Sequence, residues 1–462
     1  MVIADTEELR GARIGKDTER IGALGSHRFS ALVSVLGVGV LGVIIGASIA
    51  DFRMLPYERF FAPVFRATRS MQYKFATDER LAATDLWYPS RYEERGALWL
   101  NPEKSQDGLT LYSSGHDSAA FLIDMRGNVQ HRWSLPFYEA FPNPKHVATG
   151  VHDRFIYWRK THAFPNGDLL AIYEGVGDTP YGYGVVKVDR NSKLLWSYAD
   201  NIHHDFCFDR DGSILLLTHS VRDTRTAPVA GASHLCEQIL EDFVVRLSPD
   251  GQLLKKISLV DAFANSPYRT LLSTISSSEW DVLHTNSVEV VSSEFAAHHH
   301  FAESGQVMLS MRTCQALALL DLEAEKIVWA QFGPYRFQHD PDLLDNGHIL
   351  LFDNRGSVGP GGASRVIEFD PGTNQIVWQY AGDDGNFFYS PIRSAQQQLP
   401  NGNLLVTESC AGRLLEVTRA GEVVWEFRNP AQLDSDDRYI AVLCGAERYR
   451  ADELTFVNQS SP

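Results

Sequence analysis

FLIDMRGNVQHRWSL, residues 121–135, reads as an apolar strand, a polar turn at Arg126-Gly127-Asn128 and a second strand closing on Trp133. That is a β-hairpin, two extended runs joined by turn chemistry. The same shape returns as VVKVDRNSKLLWSY (185–198), VVRLSPDGQLLKKISL (244–259) and ALALLDLEAEKIVWAQF (316–332). RVIEFDPGTNQIVWQY (365–380) and RLLEVTRAGEVVWEF (413–427) complete a set of six. Successive copies start between 48 residues apart (Arg365 to Arg413) and 72 residues apart (Val244 to Ala316).

A second kind of hairpin lies between these copies, built on a glycine turn: FPNGDLLAI from Phe164, DRDGSILLL from Asp209, ESGQVMLS from Glu303, LDNGHILLF from Leu344 and LPNGNLLVT from Leu399. Two hairpins per period make a four-stranded unit that cannot bury both of its faces alone, so units must stack around an axis. The expected fold is therefore all-β, a six-bladed β-propeller of four-stranded blades over residues 109–450, with a C-terminal tail at 451–462. The phrases DPGTNQIVW and DRNSKLLW also resemble the Trp-docking turns of quinoprotein propellers, but those have eight blades.

Nine Trp, 25 Phe and 17 Tyr supply ample material for a core, and a formal charge of −16 argues against a nucleic-acid partner. The five cysteines include no CxxC, so neither a zinc knuckle nor a disulfide framework is indicated. Residues 30–50, SALVSVLGVGVLGVIIGASIA, carry no charge over a length that spans a bilayer. They are expected to form a single transmembrane anchor behind a polar tail at 1–29, with a cleaved signal ending at the small residues Ser48 and Ala50 as the alternative. Basic residues flank the run on both sides (Arg10, Arg13, Lys16, Arg20 and Arg28 before, Arg53, Arg59, Arg66 and Arg69 after), so the positive-inside rule discriminates weakly. Residues 51–108 mix aromatics and charges and read as a helical or irregular stalk.

Aligning the blades on Gly167, Gly212, Gly305, Gly347 and Gly402 brings out a row of polar residues. Eight positions before the glycine stand Arg159, His204, His339 and Ser394, and seven after it stand Glu174, His219, Arg312, Asn354 and Ser409. In an ideal two-residue hairpin these rows face each other, and a bulge shifts the register by one. The remaining blade offers His284 and Asn286 from LHTNSVEVV. One end of the stack thus collects His204, His284, Asn286, Arg312 and His339, where a purely structural strand favours Val, Ile or Thr. Imidazole serves as nucleophile or proton carrier, and guanidinium and amide groups hold an oxyanion. The set suits transfer of a sulfuryl or phosphoryl group through histidine. A metal is less natural there, because no carboxylate or thiolate joins the set and Arg312 repels a cation. The run His298-His299-His300 falls in an insertion and reads as a solvated loop.

LIDMRGNVQHRW, the HHD at His203–Asp205, the HTN at His284–Asn286 and QHDPDLLDNGHILLFDN from Gln338 together resemble the bacterial arylsulfotransferases that use aryl sulfate esters as donors. The resemblance covers roughly 110–430. It implies that His339 is the nucleophile and His204 its helper, with His203 the competing assignment. It further implies that His284 and Asn286 bind sulfuryl oxygens and that Arg312 holds the sulfate. A phenolic sulfate donor, a phenolic acceptor and no cofactor follow from it. With the anchor, the expected setting is a single-pass membrane protein whose propeller lies on the periplasmic or extracellular side. A non-catalytic propeller binding a ligand or partner protein at the cell envelope is the alternative.

Overall fold

Alternation of side chains along extended strands gives each sheet two faces, and in this sequence both are apolar. In Leu169–Gly175, Leu169, Ala171 and Tyr173 pack to one side, while Leu170 and Ile172 pack to the other. A sheet of this kind needs a partner on each face. The computed structural model describes residues 40–43, 46, 77–148 and 150–457. Among them are six antiparallel sheets of four or five strands and one three-stranded sheet.

Sheet 1 joins Leu109–Ser114, Ala119–Ile123 and Val129–Ser134 to Leu443–Tyr449 from the far end of the chain. Sheet 2 holds Ile156–Ala163, Leu169–Gly175, Gly182–Val188 and Leu194–Tyr198. Sheet 3 holds Ile202–Phe208, Ile214–Asp223, Gln238–Leu247 and Leu253–Ser258. Sheet 4 holds Thr285–Val290, Val307–Met311, Ala316–Asp321 and Lys326–Phe332. Sheet 5 holds His339–Leu343, Ile349–Asp353, Arg365–Asp370 and Gln375–Ala381. Sheet 6 holds Ala395–Gln398, Leu404–Glu408, Arg413–Val417 and Val423–Arg428, with Gly96–Leu100 added at its outer edge.

The first strand of each of sheets 2–6 touches the first strand of the next, and Leu443–Tyr449 of sheet 1 touches those of sheets 2 and 6. The buried apolar residues form six clusters, one at each junction between successive sheets. The architecture is a β-propeller. Its junctions are pinned from outside by tryptophans at the ends of the repeats. The indole N–H groups of Trp133, Trp378 and Trp425 donate to the carbonyls of Gly167, Arg419 and Met125, at 2.9, 2.8 and 2.8 Å, each on a turn of the following sheet. Trp196 covers Gly251, whose φ of +82° and lack of a side chain admit the ring; an added Cβ would stand 2.6 Å from it. The Trp-docking phrases thus do carry such contacts.

One expectation about the chain changes. Part of the expected stalk is strand: Gly96–Leu100 pairs with Val423–Arg428, and Trp87–Pro89 pairs with Asp436–Ala441, because Leu86 and Trp87 are buried and hold that stretch against the body. The apolar run at 30–50 lies outside the described residues except for 40–43 and 46, which are helical and exposed, and 51–76 lies outside them entirely. Among the described residues no helix is long and apolar enough to cross a membrane. No disulfide joins the five cysteines.

Candidate active site

The innermost strands are bulged. Register slips between Trp158 and Thr161, His203 and Phe206, Thr285 and Ser287, and His339 and Asp342. Near these slips the backbone takes left-handed values at His204 (φ +56°), His284 (+49°) and Asp340 (+53°), and it does so again at Ser394 (+79°), just ahead of a strand with no slip. Such values cost energy in residues with a Cβ, and bulges re-aim side chains. Here they turn polar groups inward. Arg159, His204, His339 and Ser394, the row eight positions before the turn glycines, line one cavity of about 400 Å3 together with Asn286. That cavity draws its walls from the inner strands of all six sheets. The expected cross-strand pairing of the two rows does not hold, because the bulges displace it: Tyr157 stands opposite Glu174, and Phe352 opposite His339.

Three of the expected histidines converge. The ring of His204 lies 5.1 Å from that of His284 and 6.4 Å from that of His339, centroid to centroid. His339 is 3% exposed and its Nδ1 stands 2.8 Å from Asn354 Oδ1. Asn354 is held in turn, its Nδ2 donating to the carbonyls of Ser390 (2.8 Å) and Arg393 (2.9 Å). With its N–H groups so engaged, the amide turns its oxygen to His339, which must donate from Nδ1. Nε2 therefore keeps the lone pair. Burial, with the charge of Arg159, holds His339 well below the ordinary imidazole range. Burial and neighbouring His203 do the same to His204.

His284 differs. Burial would lower it, but its Nδ1 lies 2.5 Å from the Asp281 carboxylate, and the balance raises it above its ordinary value. Asn286 is anchored by a 2.8 Å bond from Nδ2 to the Gln338 carbonyl, while its buried Oδ1 has no partner among the described residues. Arg312 donates its backbone N–H to the His284 carbonyl at 3.1 Å and stacks its guanidinium on Phe337, 4.9 Å from the centroid. It forms no ion pair among the described residues.

His203 requires a correction. Expected among the substrate-binding groups and as the competing assignment to His204, it is fully buried and stacks on His219 at 4.2 Å; like His284 and Arg312, it lies outside the wall of the cavity. The bulge that begins after His203 carries His204 inward and leaves His203 in the sheet. The triple histidine is also accounted for: His298 and His299 bond the carbonyls of Asp345 (3.1 Å) and Gly347 (2.6 Å).

Several groups escape a reading of the sequence. Asp281 sits in a loop three residues ahead of His284, a spacing too common to single out. Tyr181 sets its ring against His203, His204, His219 and His284. On the wall of the same cavity Lys160 pairs with Asp205, near Glu289, Asp340 and Asp342; burial pushes Glu289 up to about 8 and Asp340 up to about 6. These carboxylates occur on strands whose alternation also reads as a solvated face.

The arylsulfotransferase (ASST) family model matches residues 160–430, the span that carries His204, His284, Asn286, Arg312 and His339. The chain belongs to the arylsulfotransferase family. No curated protein matches its sequence. Among solved structures, this arylsulfotransferase-family chain is similar to a protein of unknown function from Bacteroides caccae, with 12% identity, a TM-score of 0.47, and 74% of this chain and 98% of that one covered. A streptogramin B lyase aligns at 10% identity and a TM-score of 0.39, covering 75% and 87%. The WD40 β-propeller domain of Doa1 aligns at 11% and 0.38, covering 76% and 96%.

Proposed function

We propose that this chain transfers a sulfuryl group from a phenolic sulfate ester to a phenolic acceptor, through a covalent histidine intermediate at the axis of a six-bladed propeller. The observation that carries the reading is His339, with Nδ1–H held by Asn354 and a lone pair on Nε2 in a polar cavity. Nε2 attacks sulfur, the bond from sulfur to the phenolic oxygen breaks with its electron pair leaving on oxygen, and the sulfuryl group rests on nitrogen. His284, charged beside Asp281, supplies the proton that the departing phenolate takes up. In the second half the acceptor oxygen attacks sulfur and returns a proton to His284, and the electron pair of the N–S bond goes back to His339. Arg312, Asn286 and neutral His204 hold the sulfuryl oxygens while charge redistributes. Two groups of one kind with opposite shifts, His284 upward and His339 downward, suit separate acid and nucleophile roles. The uncharged run at 30–50 supports a membrane-anchored setting, with the propeller on the periplasmic or extracellular side.

A pulse of chromogenic aryl sulfate, followed by digestion and mass spectrometry, tests the reading. The expected result is a sulfuryl mass on the peptide containing His339, absent in a folded His339→Ala protein that no longer turns over. Arg312→Ala should lower turnover by roughly a hundredfold or more. A folded wild type without turnover across a broad donor panel, and indistinguishable from His339→Ala, would leave the propeller a binding module.

A further inference from the structure

Beside the histidine cluster, three neighbouring strands of sheet 3 bring His203, His219 and Asp242 together. His219 and Asp242 are cross-strand partners, and the ring of His203 stacks on that of His219. Their exposures are 0, 0 and 1%, and one ligand-type atom from each lies within 4.8 Å of the others. The group is only partly satisfied: His203 Nε2 and His219 Nδ1 have no hydrogen-bond partner among the described residues. Asp242 Oδ1 stands 3.7 Å from His203 Nε2, too far for a hydrogen bond. Its other oxygen accepts the Thr285 N–H, at 2.7 Å, and no Lys or Arg of the described residues pairs with it. A sealed carboxylate without a cation, beside two unpaired imidazole nitrogens, is costly.

We propose that His203, His219 and Asp242 bind a divalent transition-metal ion of the zinc type. Two imidazoles and a carboxylate are a set that such ions take, with bonds of about 2.0–2.2 Å. Bringing the three atoms, within 4.8 Å of one another, onto one centre requires the stacked rings of His203 and His219 to turn toward each other. The surroundings already resemble an outer shell, since the second nitrogen of His203 lies 2.8 Å from Nδ1 of His204. A metal on Nε2 places the proton of His203 on Nδ1, which then donates to His204. His204 is thereby set in the tautomer with Nε2–H, a donor on a residue of the cavity wall. Ligation by His219 Nδ1 gives up one contact, the 3.3 Å approach of the Gly182 N–H to Nε2. The site differs from the set weighed in the sequence: a carboxylate completes it, and Arg312 is not a member.

The full-length chain, purified and treated with a chelator, is titrated with Co2+ and read by its visible ligand-field absorption, and its native metal content is measured by plasma mass spectrometry. The expected result is a single Co2+ per chain with the intense bands of a four-coordinate site, displaced by Zn2+. Asp242→Asn and His219→Ala should each weaken Co2+ binding by more than the roughly 10–100-fold that loss of an outer hydrogen bond brings. His339→Ala should bind as wild type does, so the readout is independent of sulfuryl transfer. Wild type that is folded by circular dichroism and takes up no Co2+ would overturn the proposal in favour of bridging water. Retention of tight, stoichiometric Co2+ by both variants would overturn it in favour of a site elsewhere.

Discussion

At the scale of single residues, Asn354 decides which nitrogen of His339 keeps its lone pair, and it does so without charge. Replacing it by Asp would set a carboxylate on Nδ1, favour the imidazolium and raise His339 from its depressed value. The neutral nucleophile would then be lost as pH falls. The expected outcome is a new acidic limb in the pH–rate profile of Asn354→Asp, with turnover near pH 6 falling relative to pH 8. Asp281 acts in the opposite place. It raises His284, whose proton-donating form is lost as pH rises through that elevated value. Asp281→Asn removes the charge, so the alkaline fall in turnover should begin at lower pH than in wild type, as initial rates across a buffer series would show. His339, His204 and Asn354 were legible because their distance from a turn glycine is set along one hairpin. Asp281 and Tyr181 were not, since each reaches the cluster from a loop whose path depends on the neighbouring sheet.

At the scale of elements, five of the six hairpins carry a tryptophan on their second strand because the outer strand of one sheet must grip the next. Trp425 is fully buried and donates to Met125 across the junction between sheets 6 and 1. Trp425→Ala should cost about 3–5 kcal/mol from the cavity it leaves, and Trp425→Phe should retain much of that, losing mainly a hydrogen bond worth about 1 kcal/mol. Denaturant midpoints at unchanged slope would measure both. The hairpins themselves could be read from alternation and turn chemistry alone. The bulges could not. They appear in the sequence only as polar residues where a strand favours β-branched ones, and their effect is large: the slip that begins after His203 sends His204 to the cavity and keeps His203 inside the sheet.

At the scale of the whole molecule, the ring is closed by pairing Leu443–Tyr449 with Leu109–Ser114, two strands more than 300 residues apart in the chain. A chain ending before Leu443 would leave sheet 1 with three strands, uncover Tyr112 and Leu111, and remove the wall that Cys444–Glu447 gives the cavity. The expected result of that truncation is loss of the cooperative thermal transition and aggregation on expression, read by calorimetry and size-exclusion chromatography. A single sharp transition in the truncated chain would show that closure is dispensable.

The sequence by itself determined the repeat, the turns and the row of polar residues eight positions before four of the turn glycines, because these rest on periodicities that act within a few residues. Only the tertiary structure decided which sheet the last strand completes, which histidine of the His203–His204 pair enters the cavity, and which carboxylate meets which imidazole. Those outcomes depend on bulges and on contacts between strands of different hairpins, such as Asp281 beside His284 and Asp242 beside His203, where distance along the chain carries no information about distance in space.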